Sequence, residues 1–260
     1  MNCGPMSEAL ADITEDAFLG GQLRLRQPKS GHRAGHDAML LAAATAASAG
    51  DRVVEFGAGV GAAGLALARR VGGIDLVMAE IDPDLAQLAR ENAGRNALVA
   101  EIVVLDVTSP AENFANVGLT PDSVDAVLMN PPFNDAARHR ASPDASRASA
   151  HVANHTTLES WVHAARRILK SGGALTLIWR ADGIAEALAA LARGFGSLAI
   201  LPVHADAGRP AIRVLIRGVK GGKAPARVLG GLMLNDESGL PNKEVAEMLS
   251  GKRVLPLANP

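Results

Sequence analysis

Three acidic residues stand at the ends of successive apolar segments, where they could bind one ligand together. Glu55 lies at the end of the first segment, Glu80 follows the second and Asp106 follows the third. If these segments are neighbouring parallel strands, their carboxyl ends meet at the sheet edge where open α/β sheets bind ligands. Carboxylates attract cations and accept hydrogen bonds from hydroxyl and amino groups. The spacing therefore predicts a single acidic site built from three strand ends.

A glycine loop follows the first segment, and its backbone could approach the same ligand closely. Gly57 and Gly59 come shortly after Glu55, and a helical segment begins soon afterwards. The run from Gly59 to Gly64 also matches the dinucleotide fingerprint, and Glu80 lies close to the ~20-residue spacing of its ribose-binding acid. The glycine spacing alone therefore leaves both a nicotinamide dinucleotide and S-adenosylmethionine open.

The charge of Glu55 favours one of these two cofactors. A carboxylate beside the loop would repel a pyrophosphate but attract the cationic methionine part of S-adenosylmethionine. We expect Glu55, Gly57 and Gly59 to hold this cofactor near its methionine part. Glu80 should accept hydrogen bonds from the ribose hydroxyls, and Asp106 should accept one from the adenine amino group.

A rigid turn, Asn130-Pro-Pro-Phe133, follows the fourth apolar segment. Its two prolines fix φ and supply no N–H donor, so the turn presents acceptors. An exocyclic amine conjugated to a ring reacts better when acceptors hold its hydrogens and its lone pair turns toward the methyl group. We expect the Asn130 side-chain oxygen and the Pro131 carbonyl to act in this way, while Phe133 stacks against a planar base.

Strands and helices alternate around these residues, which predicts an α/β fold with a parallel sheet covered on both faces. The expected strands are 52–56, 75–79, 101–105, 124–129 and 174–179, followed by an antiparallel hairpin of 198–204 and 212–219. Glycines 20–21 predict the turn of an earlier hairpin, and the run 37–47 predicts a buried helix. The expected divisions are an N-terminal hairpin and helix extension (1–50), a main domain (51–220) and a C-terminal extension packed on it (221–260).

The motifs resemble those of class I S-adenosylmethionine-dependent methyltransferases that act on planar amino groups. The resemblance rests on Glu55 to Gly61, Glu80, Asp106 and Asn130 to Phe133. It implies a Rossmann-like fold with a seven-stranded, mostly parallel sheet and an antiparallel C-terminal hairpin. It also implies an N-methyltransferase that uses S-adenosylmethionine.

Other segments are similar to bacterial members of the tRNA adenine-N6 methyltransferase family. These segments are Pro28–Arg33, Asp37–Leu41, Arg147–His151, Gly208–Arg213 and Leu234–Gly239. That family modifies the adenosine beside the anticodon of valine tRNA, so the resemblance implies an RNA substrate, tRNA above all, and a cytoplasmic enzyme. The chain contains no tyrosine, which leaves base stacking to Phe133.

Several alternatives remain open beside an adenine-N6 methyltransferase. The same turn would suit guanine-N2 methylation of rRNA or methylation of a protein glutamine side chain, although glutamine enzymes usually carry a separate N-terminal helical domain. A non-catalytic RNA-binding module and an NAD-dependent oxidoreductase belong to other classes. Asn130 argues against the former and Glu55 against the latter.

Basic residues are concentrated in one part of a chain whose formal net charge is only −1. The region between Ala207 and Asn235 has six basic residues and no acidic one: Arg209, Arg213, Arg217, Lys220, Lys223 and Arg227. Arg213 and Arg217 are four residues apart on an expected strand and share a face, which predicts a phosphate-tracking surface there. In the long segment 134–157, Arg138, Arg140, Arg147 and His151 predict a second set of substrate contacts.

The remaining composition excludes a disulfide within the chain and predicts no membrane segment. The only cysteine is Cys3, which is consistent with a reducing cytoplasm. The longest apolar stretch, Ala38 to Ala47, is too short to span a bilayer. The pairs His32/His36 and His151/His155 have helical spacing but no evident third ligand, so we expect no metal site.

Overall fold

A computed structural model describes residues 12–29, 33–132 and 158–259. The strands are β1 (Ile13–Phe18), β2 (Leu23–Pro28), β3 (Arg52–Phe56), β4 (Asp75–Glu80), β5 (Glu101–Val104), β6 (Val124–Met129), β7 (Leu169–Arg180), β8 (Phe195–His204), β9 (Ala211–Lys220), β10 (Arg227–Val228) and β11 (Leu232–Met233). The helices are α1 (His36–Ala44), α2 (Ala62–Val71), α3 (Pro83–Arg95), α4 (Ala111–Asn116), α5 (158–168), α6 (Ile184–Leu191) and α7 (Lys243–Leu249).

The central sheet confirms the expected Rossmann-like α/β fold. Its long strands lie in the order β8-β9-β7-β6-β3-β4-β5, and β9 is antiparallel to both of its neighbours. These are the seven strands that the sequence predicts, with the antiparallel hairpin formed by β8 and β9. Two short strands, β10 and β11, pair with β8 and extend the sheet to nine strands. Strands β3, β4 and β5 are adjacent and parallel, so their carboxyl ends lie side by side.

The sheet is covered on both faces, which explains why its inner strands are apolar on both sides. One face packs against α1, α2, α3, α7 and the β1–β2 hairpin, and the other packs against α4, α5 and α6. In β3, for example, Val53 belongs to the first core and Val54 to the second, and both are fully buried. The glycine loop and the start of α1 lie at the carboxyl edge between these layers.

The N-terminal hairpin is fixed to α3 by two asparagine side chains that pair with its backbone as a neighbouring strand would. The Asn92 side chain accepts a hydrogen bond from the Arg26 N–H at 2.8 Å and donates to the Arg26 carbonyl at 3.0 Å. Asn96 does the same for Arg24, at 2.9 and 2.7 Å. Asn92 also donates to the carbonyl of Val60 in the glycine loop. The hairpin is therefore tied to the loop that forms the site, while the three-part division of the chain stays a prediction.

Candidate active site

A cavity of about 320 Å³ opens beside the glycine loop at the carboxyl edge of the sheet. The segment 33–38 forms one wall, and the loop 57–60 forms the opposite side. Glu55, Asn130, Leu85 and the first residues of α2 complete the lining. Four of the residues predicted from the sequence, Glu55, Gly57, Gly59 and Asn130, therefore share one cavity.

Glu55 is a buried acid held in place by the backbone of α2. Its Oε2 accepts a hydrogen bond from the Gly64 N–H at 2.8 Å, and only 5% of its surface is exposed. Burial raises the pKa of Glu55 to about 8, and the nearby charge of Glu80 adds to the increase. A Cβ at position 64 would lie 2.5 Å from Oε2, so this contact requires glycine. Glu55 is thus positioned to become ionised when a cation binds beside it.

The two predicted loop glycines are needed for different reasons. Gly57 has φ +64°, and a Cβ there would lie 2.5 Å from Cη2 of Trp161 on α5. Gly59 has φ +56°, but a Cβ there would meet no atom within 4 Å. Gly57 therefore allows the loop to rest on the α5 tryptophan, whereas Gly59 leaves open space beside the backbone.

The side chain of Glu80 supports the glycine loop. Its Oε2 accepts from the Gly59 N–H at 2.6 Å, and its Oε1 accepts from the Asp82 N–H at 2.9 Å. Glu80 is buried and does not line the cavity. Each oxygen still has a second lone pair that could accept from a ligand hydroxyl.

Asp106 follows β5 and is exposed outside the cavity lining. Its Oδ1 accepts from the N–H and the hydroxyl of Thr108, at 2.8 and 2.7 Å. The Leu105 N–H, one residue earlier, donates to the Glu80 carbonyl at 2.9 Å. Asp106 therefore stands at the strand end beside Glu80, as the sequence predicts, with a carboxylate that is shared with a local turn.

The candidate catalytic turn begins beside the glycine loop because Met129 pairs with Phe56 across β6 and β3. The Oδ1 atom of Asn130, the next residue, is buried and has no hydrogen-bond partner within the described ranges. Pro131 is buried behind it. Phe133 lies outside the described residues, so its stacking role stays a prediction. An unpartnered buried acceptor in a cavity wall is suited to a ligand amine.

The wall formed by residues 33–38 is the part of the cavity that sequence reasoning did not assign to the site. Arg33 donates to Asp16 at 2.7 Å and to the Pro28 carbonyl at 2.9 Å, which anchors this wall to the hairpin. Asp37 accepts from Arg213 of β9 at 2.9 Å. The signal was present, because both residues fall in segments that resemble the tRNA methyltransferase family.

The phosphate-tracking face expected on β9 is not formed. Arg213 and Arg217 do share a face of the strand, but Leu215 lies between them on that face and is fully buried in the core. Arg213 is paired with Asp37, and the Nε atom of Arg217 is buried. Because Leu215 faces the core between them and Arg213 has an acidic partner, the two arginines do not form one continuous phosphate-tracking surface. Residues Arg138, Arg140, Arg147 and His151, and the histidines His32 and His155, lie outside the described residues.

The described residues fit S-adenosylmethionine. Asp37 brings negative charge to the cavity, Glu55 can become negative when a cation binds beside it, and Arg33 brings positive charge, which suits an amino-acid part that carries both signs. The open backbone at Gly59 provides the close approach that the predicted cofactor needs. Glu80 and Asp106 stand at the next two strand ends, where its ribose and adenine would lie.

Residues 33–205 of the chain match the family model of the methyltransferase small domain. A tRNA1(Val) (adenine(37)-N6)-methyltransferase of Porphyromonas gingivalis is 28% identical over 175 residues, covering 66% of this chain and 68% of the relative. A ribosomal RNA small subunit methyltransferase C of Pseudomonas syringae is 30% identical over 129 residues, but these cover 48% of this chain and 31% of that relative.

Solved structures give the same fold. The crystal structure of a predicted O-methyltransferase from Agrobacterium tumefaciens is similar to this chain with a TM-score of 0.70 and 30% identity, and the match covers 84% of this chain and 98% of that one. A T. thermophilus 16S rRNA N2 methyltransferase, solved with AdoMet and guanosine, has a TM-score of 0.54 and 20% identity. The match covers 80% of this chain and 50% of the T. thermophilus chain. At this identity the similarity shows the fold alone.

Proposed function

Because the chain belongs to the methyltransferase small domain family, we propose that it methylates the exocyclic N6 amine of an adenine in RNA, with tRNA as its substrate. The enzyme class predicted from the sequence, an S-adenosylmethionine-dependent N-methyltransferase, is confirmed, and so is its cofactor. The base, the RNA and the roles of individual residues are parts of the proposal.

One observation carries the choice of an amine: Oδ1 of Asn130 is buried without a partner among the described residues, in the wall of the cavity that also contains Glu55. A buried acceptor without a donor is costly, at about 1–3 kcal/mol, so a ligand N–H in this place is favoured. An adenine amino group carries two such hydrogens. The proline that follows has no N–H, so this part of the turn offers acceptors.

In the proposed reaction, S-adenosylmethionine supplies a methyl group on a positively charged sulfur when it is bound. Asn130 Oδ1 and the Pro131 carbonyl accept hydrogen bonds from the two amine hydrogens, which turns the nitrogen lone pair out of conjugation and toward the methyl group. The same acceptors would stabilise the positive charge that develops on nitrogen as the N–CH3 bond forms and the S–CH3 bond breaks, which leaves a neutral thioether, and the methylated amine then releases one proton to solvent. Glu55, Gly57 and Gly59 hold the methionine part, Glu80 the ribose and Asp106 the adenine of the cofactor. Phe133 stacks the substrate base.

The adenine-N6 assignment is supported by the relatives with the broader match. Two tRNA1(Val) (adenine(37)-N6)-methyltransferases, from P. gingivalis and Trichodesmium erythraeum, match over 66% and 62% of this chain. The rRNA relative matches over a shorter region at slightly higher identity, so guanine-N2 methylation of rRNA is the second candidate.

Among the described residues no helix is long and apolar enough to cross a membrane. We place the enzyme in the cytoplasm, where both kinds of RNA occur.

Incubation with methyl-labelled S-adenosylmethionine and total bacterial RNA, followed by digestion and nucleoside analysis, tests this function. We expect label in N6-methyladenosine, released from the tRNA fraction. Label in N2-methylguanosine from rRNA would support the second candidate instead. Label in a ribose-methylated nucleoside would contradict an amine acceptor, and label in a protein band would contradict an RNA substrate.

A further inference from the structure

We propose that the RNA backbone binds in a basic groove on the outer side of α5 and α6, away from the cavity. This α5 groove is defined by His163, Arg166, Arg167, Arg193, Thr108 and Lys220. The inference rests on the proposed function, because it names the surface that would hold the phosphates of the substrate RNA. It differs from the β9 face that the sequence predicts.

The groove is formed by one face of α5. His163, Arg166 and Arg167 are three and four residues apart, so their side chains project from the same side of the helix. They line two adjoining depressions of about 440 and 410 Å³. The first depression reaches Arg193 after α6, and the second reaches Lys220 at the end of β9. A continuous surface with space for an extended ligand results.

Within the described part of the chain, the arginines of the groove have no acidic partner. Arg166, Arg167 and Arg193 form no ion pair with any residue in the described ranges, whereas Arg26, Arg33 and Arg213 are each paired with an acid. Lys220 donates to Asp122 at 2.8 Å, so its charge is partly balanced. Glu159 is the acid that lines the groove. Among the described residues, these three guanidinium groups therefore leave a positive surface, in a chain whose net charge is −1.

Two of these arginines are held in position before any ligand arrives. The Arg167 guanidinium lies over the ring of Phe114, 4.3 Å from its centroid, and its Nη2 is buried with no hydrogen-bond partner in the part of the chain described. The Arg166 side chain packs against Gly194, where a Cβ would collide with its Cδ. Arg167 thus contributes mainly its charge to the groove, whereas the guanidinium groups of Arg166 and the exposed Arg193 can offer the fork geometry that matches a phosphate. Holding the Arg166 side chain in advance lowers the entropic cost of binding.

The groove begins next to the cofactor end of the sheet. Thr108, which bonds to Asp106, lines its first depression. On the same helix, Trp161 lies against the glycine loop at Gly57. From Trp161 to Arg167 the helix rises about 9 Å. A single RNA strand could therefore place one base in the cavity and its neighbouring phosphates along α5.

The test compares two charge-reversal variants with equal changes in net charge. The first is the groove variant Arg166→Glu with Arg193→Glu. The control is Lys243→Glu with Lys252→Glu, two exposed residues at α7 and just after it that lie outside the groove. Binding of fluorescently labelled, unfractionated bacterial tRNA is measured over a range of salt concentrations, and S-adenosylmethionine affinity is measured by calorimetry. Arg193→Glu alone, at an exposed position, serves if the double variant does not fold.

We expect the groove variant to bind tRNA about 10- to 100-fold more weakly, and the salt dependence, as the slope of log K against log salt, to fall by about 1.4–1.8 for two lost phosphate contacts. The control variant should change the slope little, and both should bind the cofactor as the wild type does. Equal tRNA binding by groove and control variants would overturn the proposal, as would a wild type that binds no RNA. Loss of tRNA binding in the groove variant, together with label in N2-methylguanosine, would retain the groove and reject the proposed base.

Discussion

The cavity and the α5 groove differ in whether their charged side chains already have partners within the protein. In and beside the cavity, acids already have donors: Glu80 accepts from two backbone N–H groups, Glu55 accepts from one and Asp37 is paired with Arg213. In the groove, Arg166, Arg167 and Arg193 have no acidic partner within the described residues. The cavity is therefore fixed by the protein's own bonds, whereas the groove has charge available for an external anion.

The difference shows why the net charge of the chain says little about its partners. Acids and bases nearly cancel over the whole sequence, with 27 of one and 26 of the other. The fold separates them, because acids lie at the strand ends while Arg166 and Arg167 on α5 and Arg193 after α6 lie together in the groove. A small cationic ligand and a large anionic one can then bind to the same chain without competing for the same surface.

Substitution at Gly57 should disturb the contact between the glycine loop and α5, the helix that also forms the groove. Gly57→Ala would place a methyl group 2.5 Å from Trp161 and strain a residue at φ +64°. We expect a loss of about 2–5 kcal/mol in the free energy of unfolding from overpacking and backbone strain together. Gly59→Ala has the strain without the collision and should lose only about 1–2 kcal/mol. Urea denaturation of both variants checks this, and equal losses would contradict the role given to Trp161.

Substitutions at Glu80 and Asp106 should have different effects on stability, because Glu80 is buried and supports the glycine loop whereas Asp106 is exposed. Glu80→Ala would leave the N–H groups of Gly59 and Asp82 without their acceptor, so it should lower both the stability and the cofactor affinity by about 1–3 kcal/mol each. Asp106→Ala removes an exposed carboxylate and should lower cofactor affinity alone, by a similar amount. Calorimetric titration and thermal unfolding separate the two results. Unchanged affinity in both variants would show that the cofactor lies elsewhere.

The pH dependence of cofactor binding should be specific to the cavity. Because the pKa of Glu55 is raised to about 8, a bound cation must displace its proton below that pH. Between about pH 6.5 and 8 the cofactor affinity of the wild type should rise by at most tenfold per pH unit, and it should level off above the pKa. Glu55→Gln, which resembles the protonated form, should bind weakly with little pH dependence. Equal pH profiles for the two proteins would contradict the role of Glu55.

The Glu55 carboxyl also makes the free energy of unfolding depend on pH, but this free energy falls with rising pH where the cofactor affinity rises. The folded protein keeps the proton on Glu55 up to about pH 8, while the unfolded chain releases it near the ordinary pKa of 4.5. Between pH 4.5 and about pH 8 the folded state therefore binds more protons than the unfolded chain, and its stability falls as the pH rises through this range. Relative to Glu55→Gln, the wild type should lose about 1.4 kcal/mol of unfolding free energy per pH unit. Denaturation of both proteins at several pH values measures this slope.

The local elements could be predicted from the sequence because they depend on local patterns. The strands 52–56 and 124–129 begin and end where their apolar runs do. One boundary of this kind was wrong: the strand expected at 174–179 begins already at Leu169, so Gly172 and Gly173 lie inside β7. There the pairing register with β6 shifts, and Gly172 has φ +81°. Such an irregularity is accommodated by the partner strand and leaves no periodic signal.

The parts of the site that were missed depend on contacts between distant segments. Asp37 and Arg213 are 176 residues apart, and their pairing converts an expected RNA-binding arginine into a support for the cavity wall. The α5 groove likewise combines residues near 108, 163–167, 193 and 220. No spacing rule connects these positions before the sheet order is known. The acids and the Asn130 turn could be placed at one edge of the sheet because each lies at or directly after the end of a recognisable strand, and their roles stay predictions.

Single-turnover methyl transfer to tRNA shows whether the amine reacts at Asn130 within the cavity. The measurement compares wild type and Asn130→Ala at saturating S-adenosylmethionine and tRNA, with the methylated nucleoside identified in each case. We expect transfer to N6-methyladenosine to slow by about 10²–10³-fold in Asn130→Ala, as for the loss of one polar partner in a preorganised site, with cofactor affinity unchanged. A variant that transfers at the wild-type rate would contradict a reaction at Asn130.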